Sequence, residues 1–275
     1  MNAAEIELPD LSSDYPVSPQ QTASFQSEGF VRLNGVASPQ EVSAYRQAIR
    51  STTYGLNTNT KKMEERSTYD KAFIQVGNLW EKHESCKRFS FARRFAKVAA
   101  DLLGVSGVRM YHDQALFKEG GGGRTPWHQD QFYWPLDNNN CVTMWMPLLD
   151  ITADMGTMTF ARGSQRLGYL GDIPISDESE KFYEELVKDR GFALWNAGDM
   201  NAGDATFHYG YTVHGAPNNK TPNPREVMTV IWIAENTRII EPKNFAQKAD
   251  LAKWFPGLKP GDLAASPLNP VVYSR

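Results

Sequence analysis

After Gly104 the spacing of apolar residues changes from the three-to-four of a helix to alternation, and that change limits the fold more than any other feature of the chain. Upstream, RFSFARRFAKVAADLLG (88–104) places Phe95, Val98, Ala99 and Leu102 on one helical face, with Gly104 as its stop. Downstream, VRMYHDQALFK, TPWHQDQFYW, CVTMWMPLLDI, GTMTFAR, ATFHYGYTVHGA and REVMTVIWIAE read as six strands separated by Gly, Pro, Asn and Asp. One helical insert, 176–190, interrupts them; Ser176 and Glu178 signal its start and Gly191 its stop. FQSEGFVRLNGVASPQEVSAYRQAIRS reads as helix, strand, turn and helix, with Ser38 as N-cap and Pro39 at the first helical position. The expected fold is mainly β with flanking helices: an antiparallel barrel or sandwich behind a helical N-terminal part, with a ligand site in its mouth. We read 1–275 as one domain. It divides into an extended arm (1–20), mainly helical support (21–104), the β core with its insert (105–236) and a C-terminal tail (237–275).

Composition narrows the partners. A net charge of −3 over 275 residues gives no basic bias, so neither nucleic acid nor an anionic membrane is expected. No apolar run approaches the ~18 residues of a spanning helix. MNAAEIELPDLSSDYP lacks the apolar stretch of a secretory leader, and PVVYSR carries no retention or peroxisomal tripeptide. Two cysteines, Cys86 and Cys141, do not make a disulfide framework, so free thiols in a cytoplasmic protein are expected. Oligomeric state is not legible.

Chemistry concentrates in TPWHQDQFYWP. On a strand, His128 and Asp130 project from one face. Alone, H-x-D is more often an ordinary hydrogen-bonded pair. Three neighbours shift that balance: aromatic flanks (Trp127, Phe132, Tyr133, Trp134), His214 far downstream in FHYGYTVHGAPNN, and Arg225 eleven residues later, opening the returning strand. Two histidines and a carboxylate with open positions form the facial triad of non-haem iron(II) oxygenases, and an Arg beside the metal can grip a carboxylate with its planar fork. Two His and one carboxylate also suit catalytic zinc, but the Arg spacing and the absence of an H-E-x-x-H-type base argue against a zinc hydrolase.

With these residues in place, the chain resembles the phytanoyl-CoA dioxygenase family of iron(II)/2-oxoglutarate oxygenases, from FQSEGFVRL near residue 25 to REVMTVIWIAEN at 236. WHQDQFYWP, MWMPLLDITADMGTMTFARGSQR and GDATFHYGYTVHGAPNN carry the likeness. The resemblance implies a double-stranded β-helix (jelly-roll, cupin-like) core. It implies His128, Asp130 and His214 as iron ligands and catalytic centre, and Arg225 as the 2-oxoglutarate clamp. Trp145 and Gln114 would lie beside the co-substrate, and iron(II), 2-oxoglutarate and dioxygen would be the cofactors. The expected activity is hydroxylation of an unactivated C–H of a small molecule, with release of succinate and carbon dioxide. Desaturation, epimerisation or ring formation with the same cofactors stay open, and a non-catalytic iron/2-oxoglutarate sensor is the rival of another class. The retained Asp130 argues against halogenation, for which relatives carry a small residue there. Ala216 departs from the family, many of whose members have Ser or Thr two residues after the distal histidine.

The remaining candidates are weaker. His112, Tyr133, Trp134, Gln75 and Asn78 are candidate substrate residues, with core packing as the alternative. His208 reads as a core or rim histidine rather than a fourth ligand, and His83 as solvated. Gly120–Gly123 lacks the strand–loop–helix setting of a phosphate cradle and reads as a flexible lid edge. The insert 176–189 is read as either a lid or a solvated outer helix.

Overall fold

A computed structural model describes residues 8–275. In chain order the elements are α1 (Pro19–Glu28), β1 (Phe30–Leu33), α2 (Pro39–Leu56), α3 (Thr68–Ala72), β2 (Ile74–Gly77), α4 (Glu84–Ser90), α5 (Arg93–Leu103), β3 (Gly107–Phe117), β4 (Thr125–His128), β5 (Cys141–Pro147), β6 (Thr159–Ala161), α6 (Asp177–Arg190), β7 (Leu194–Asn196), β8 (Ala205–Tyr209), β9 (His214–Ala216), β10 (Val227–Ala234), α7 (Phe245–Trp254) and β11 (Val271–Ser274). The strands form two antiparallel sheets, a jelly-roll core. The larger runs β1-β8-β5-β10-β3-β11 with β2 also on β3, and the smaller runs β4-β9-β6-β7. Helices α1, α2, α4 and α5 bury Phe25, Val42, Tyr45, Ile49, Phe89, Phe95, Val98 and Leu102 in one core with the large sheet, leaving that sheet's other face for the site.

Register aligns that free face. Pairing of β10 with β3 and β5, and of β5 with β8, lines up His112, Ile231, Thr143 and His208 in one row, and Gln114, Thr229, Trp145 and Thr206 in the next. Rows two residues apart share a face, so both rows point toward the small sheet.

Several expectations need correction. The stretch 125–134 is not one strand: β4 ends at His128, and Asp130–Phe132 form a 3₁₀ turn. ATFHYGYTVHGA breaks at Gly210 into β8 and β9, which belong to different sheets. The 88–104 helix is interrupted at Phe91–Ala92, giving α4 and α5. The strand expected after α1 is present as β1 and joins the large sheet, and so does β2, a strand the reading of the N-terminal support did not include. Within the proposed arm, residues 1–7 lie outside the described residues, and α1 already begins at Pro19. The tail carries α7 and β11, the latter pairing with β3. Gly120–Gly123 is a pinned turn rather than a flexible edge: Gly121 N–H donates to Thr221 O, Gly123 N–H to Lys71 O, and a Cβ on Gly120 would strike Pro222 O.

Candidate active site

The two sheets enclose a cavity of about 290 Å³. At one end β4 and β9 pair His128 opposite His214, across a bulge. Gly215 permits the approach, since a Cβ there would sit 3.0 Å from Thr125 O. The His128 and His214 ring centroids are 4.1 Å apart. Each ring is oriented by a carbonyl two residues back: His128 Nδ1 lies 2.8 Å from Pro126 O, and His214 Nδ1 2.9 Å from Thr212 O. With Nδ1–H donating there, both Nε2 atoms present lone pairs to the same space. The 3₁₀ turn after His128 brings Asp130 Oδ1 to 3.4 Å from His128 Nε2 and 3.6 Å from His214 Nε2.

Electrostatics favour this arrangement. Burial, with His128 and His208 beside it, pushes the His214 imidazole well below its ordinary value, toward the neutral, ligating form. Burial would raise the Asp130 carboxyl, but His214, His128 and His208 overturn this and hold it well below the usual carboxylate range. His208 is not a further member of the ligand group. Its Nε2 lies 3.1 Å from Asp130 Oδ2, which also accepts from Thr143 Oγ1 at 3.0 Å. Two donors thus occupy Oδ2, and Oδ1 faces the imidazoles. The ligand atoms of His128, Asp130 and His214 lie within 4.8 Å of one another. Two imidazoles and one carboxylate, open on the cavity side, fit a first-row transition metal held on one face.

Arg225 lines the same cavity at 1% exposure. Its guanidinium carbon sits 5.0 Å from the Trp145 ring centre, Nη1 donates to Gly156 O, and Nε has no partner among the described residues. A buried guanidinium without a carboxylate is costly, and a bound anion would relieve that cost. Thr125 lies opposite Ala216 in the β4–β9 ladder and lines the cavity, so a hydroxyl stands across from the position where Ala216 lacks one.

Gln114, Trp145, His112, Tyr133, Trp134 and Gln75 all border the cavity. Gln75 receives the Tyr69 hydroxyl and donates to Gln114, each at 2.5 Å. Asn78 does not border it; it is buried, its amide donates to Glu81, and its backbone occupies the left-handed region at φ 50°. His83 is exposed and caps α4. Sequence reading missed Thr125, Thr143, Tyr69 and the whole of α7, whose Asp250, Lys253 and Trp254 form the far wall. Trp254 stacks on His112 at 4.6 Å. Thr125 could have been found from its place in the TPWHQD strand; α7 left no comparable signal. The insert α6 is docked on β4, with Glu180 accepting from Trp127 N–H at 2.8 Å, while Ile175 before it reaches the cavity.

The family model described as phytanoyl-CoA dioxygenase (PhyH) matches residues 25–227. An ectoine dioxygenase of Streptomyces coelicolor is 22% identical over 248 residues, 82% of this chain and 81% of that protein. Among solved structures, the carbocyclase SnoK from nogalamycin biosynthesis superposes with a TM-score of 0.74 at 23% identity, covering 93% of this chain and 96% of that one. The epimerase SnoN in complex with Fe3+, alpha ketoglutarate and nogalamycin RO gives 0.74 at 24% identity, covering 92% and 97%.

Proposed function

Because the chain belongs to the phytanoyl-CoA dioxygenase family, we propose that it is an iron(II)- and 2-oxoglutarate-dependent dioxygenase that hydroxylates a small molecule. The observation that carries this reading is one cavity holding both the His128–Asp130–His214 group and the anion-seeking Arg225. Iron(II), with 2-oxoglutarate and dioxygen, supplies the oxidation; the co-substrate leaves as succinate and carbon dioxide, and the substrate gains one oxygen atom.

The chain's own residues bind, orient and exclude water. His128, His214 and Asp130 Oδ1 hold the metal from one side. Arg225 grips the distal carboxylate of 2-oxoglutarate, Thr125 donates to it, and the Trp145 face closes that end. Strand register keeps Gln114, Thr229 and Trp145 in one row and sets His128 opposite His214. The substrate occupies the opposite half, between aromatic faces (His112, Tyr133, Trp134, Trp254) and the polar groups of Gln75, Asp250 and Lys253, an enclosure for a small molecule with both apolar and polar parts. Both cysteines are free and buried, as suits a reducing compartment, and we assign the protein to the cytoplasm.

A second reading has specific support. The solved relatives include both a carbocyclase and an epimerase on this fold, so ring closure or epimerisation with the same cofactors is the alternative outcome. Succinate formation screened against a panel of small molecules tests the shared oxidation, and the product mass separates the readings: hydroxylation adds an oxygen, ring closure removes two hydrogens and epimerisation changes nothing. The proposal expects substrate-stimulated turnover that His214→Ala abolishes. A chain that binds iron and 2-oxoglutarate but forms succinate with no compound is a sensor.

A further inference from the structure

Beside Arg225 lies a buried lysine that the reading above does not use. The ladder that pairs β10 with β3 continues past their ends to Lys118 and Arg225. Their backbones exchange both hydrogen bonds, Lys118 N–H to Arg225 O at 2.9 Å and Arg225 N–H to Lys118 O at 2.8 Å. Counting by two from His112, β3 sends Gln114, Leu116 and Lys118 to the face that borders the cavity. Directly opposed residues of such a pair project to one side with their Cβ atoms about 5 Å apart, and like charges there repel.

Lys118 is fully buried. Its Nζ donates to Gly123 O and lies 3.4 Å from Thr125 Oγ1. Among the described residues no carboxylate answers it: Glu119 is engaged by Arg66, and Glu226, on the opposite face, by Arg46 and Arg50. Arg124 is turned to Asp177 and Glu180 of α6, and from α3 the neighbour is Lys71, whose carbonyl holds Gly123. From the 219–223 loop the neighbour is the uncharged Asn219, which donates to Lys118 O. Burial, then the Arg225 charge, draws the amine down to about 6.

We propose that Lys118 is a proton-linked part of the co-substrate clamp, neutral in the free protein and charged when the distal carboxylate of 2-oxoglutarate sits against Arg225. This rests on the co-substrate reading given above. The linkage runs through Thr125. A neutral amine offers a lone pair to which the Thr125 hydroxyl can donate, turning its proton from the cavity. An ammonium can only donate, so Thr125 accepts from it and its proton turns toward the carboxylate. Carboxylate and proton therefore favour each other, and linkage makes the effect reciprocal.

Isothermal titration of 2-oxoglutarate into the manganese(II)-loaded protein, in buffers of different ionisation heat, counts the protons taken up. The control probe is 2-oxopentanoate, which keeps the keto acid and replaces the distal carboxylate by methyl. At about pH 7.5, 2-oxoglutarate is expected to take up close to one proton more than 2-oxopentanoate. Its affinity should fall as much as about tenfold per pH unit between about pH 6.5 and 8. Lys118→Arg, which stays charged, should bind 2-oxoglutarate with no excess uptake; Lys118→Met should lose the uptake and bind at least about tenfold more weakly. Equal proton counts for the two probes with the wild-type protein overturn the proposal without recourse to any variant. Failure of 2-oxoglutarate to bind at all overturns it together with the co-substrate assignment, whereas binding without excess uptake removes only the role of Lys118.

Discussion

Asp130 shows how much of this site depends on single atoms. One oxygen faces His128 and His214, while the other is held by His208 and Thr143. Partners of that kind fix the direction of a ligand and commonly contribute 10–100-fold to metal affinity. His208→Phe and Thr143→Val should therefore each weaken iron(II) binding about tenfold, as read by competition with a chromophoric chelator. Unchanged affinity in both would mean that Asp130 is held by something else. Arg225→Met should raise the 2-oxoglutarate requirement about 100-fold while leaving metal affinity nearly intact, because the lost contact is a buried charge-assisted one. Co-substrate affinity that survives this change would move the clamp elsewhere. The same residues mark what sequence could tell. The group of His128, Asp130, His214 and Arg225 stood out because few residue types do this chemistry. Thr143 and Thr125 did not, since a threonine on a strand is first of all a good strand residue.

At the scale of elements, legibility followed length. The long alternating runs of β3, β5 and β10 announced themselves, and their register delivers His112, Gln114 and Trp145 to one cavity. β7, β9 and β11 have three or four residues, too few for a period of two to stand apart from a loop. α7 was hidden for another reason. Its sequence FAQKADLAKW has no continuous apolar stripe, and its Phe245 end is 72% exposed, yet Trp254 at the other end is buried against His112. Trp254→Ala should cost about 3 kcal/mol in denaturant unfolding and raise KM for the substrate with little change for 2-oxoglutarate. Equal effects on both would show that α7 merely supports the fold. Glu226 bridges Arg46 and Arg50 of α2 at 2.7 and 2.9 Å, locking the helical layer to β10 beside Arg225. Glu226→Gln should destabilise the protein by about 1 kcal/mol in denaturant unfolding, since the two half-exposed guanidinium groups lose a charged partner but stay solvated.

For the molecule as a whole, buried acids and buried histidines pull the pH response in opposite directions. Asp113 accepts from Leu79 N–H, Trp80 N–H and Ser90 Oγ, tying β3 to the segment around Leu79 and to α4. Burial nonetheless pushes its carboxyl up to about 7, and the same holds for Asp250. Folded protein then keeps a proton that the unfolded chain has lost, so this contribution is complete below about pH 4 and disappears as pH rises to about 7. Burial holds His112 and His214 below their ordinary values, which opposes this slope, so the difference is the test: Tm of the wild type minus that of Asp113→Asn should fall across that window, and parallel curves would contradict the assignment. The central claim is that the cavity between the sheets holds iron(II) and 2-oxoglutarate together. Metal-free protein under anaerobic conditions, given iron(II) and then 2-oxoglutarate, tests it most directly. The account expects a visible charge-transfer band that saturates at one equivalent of each, is missing in His214→Ala, and needs far more 2-oxoglutarate in Arg225→Met. A wild-type protein that binds both and develops no band would contradict it.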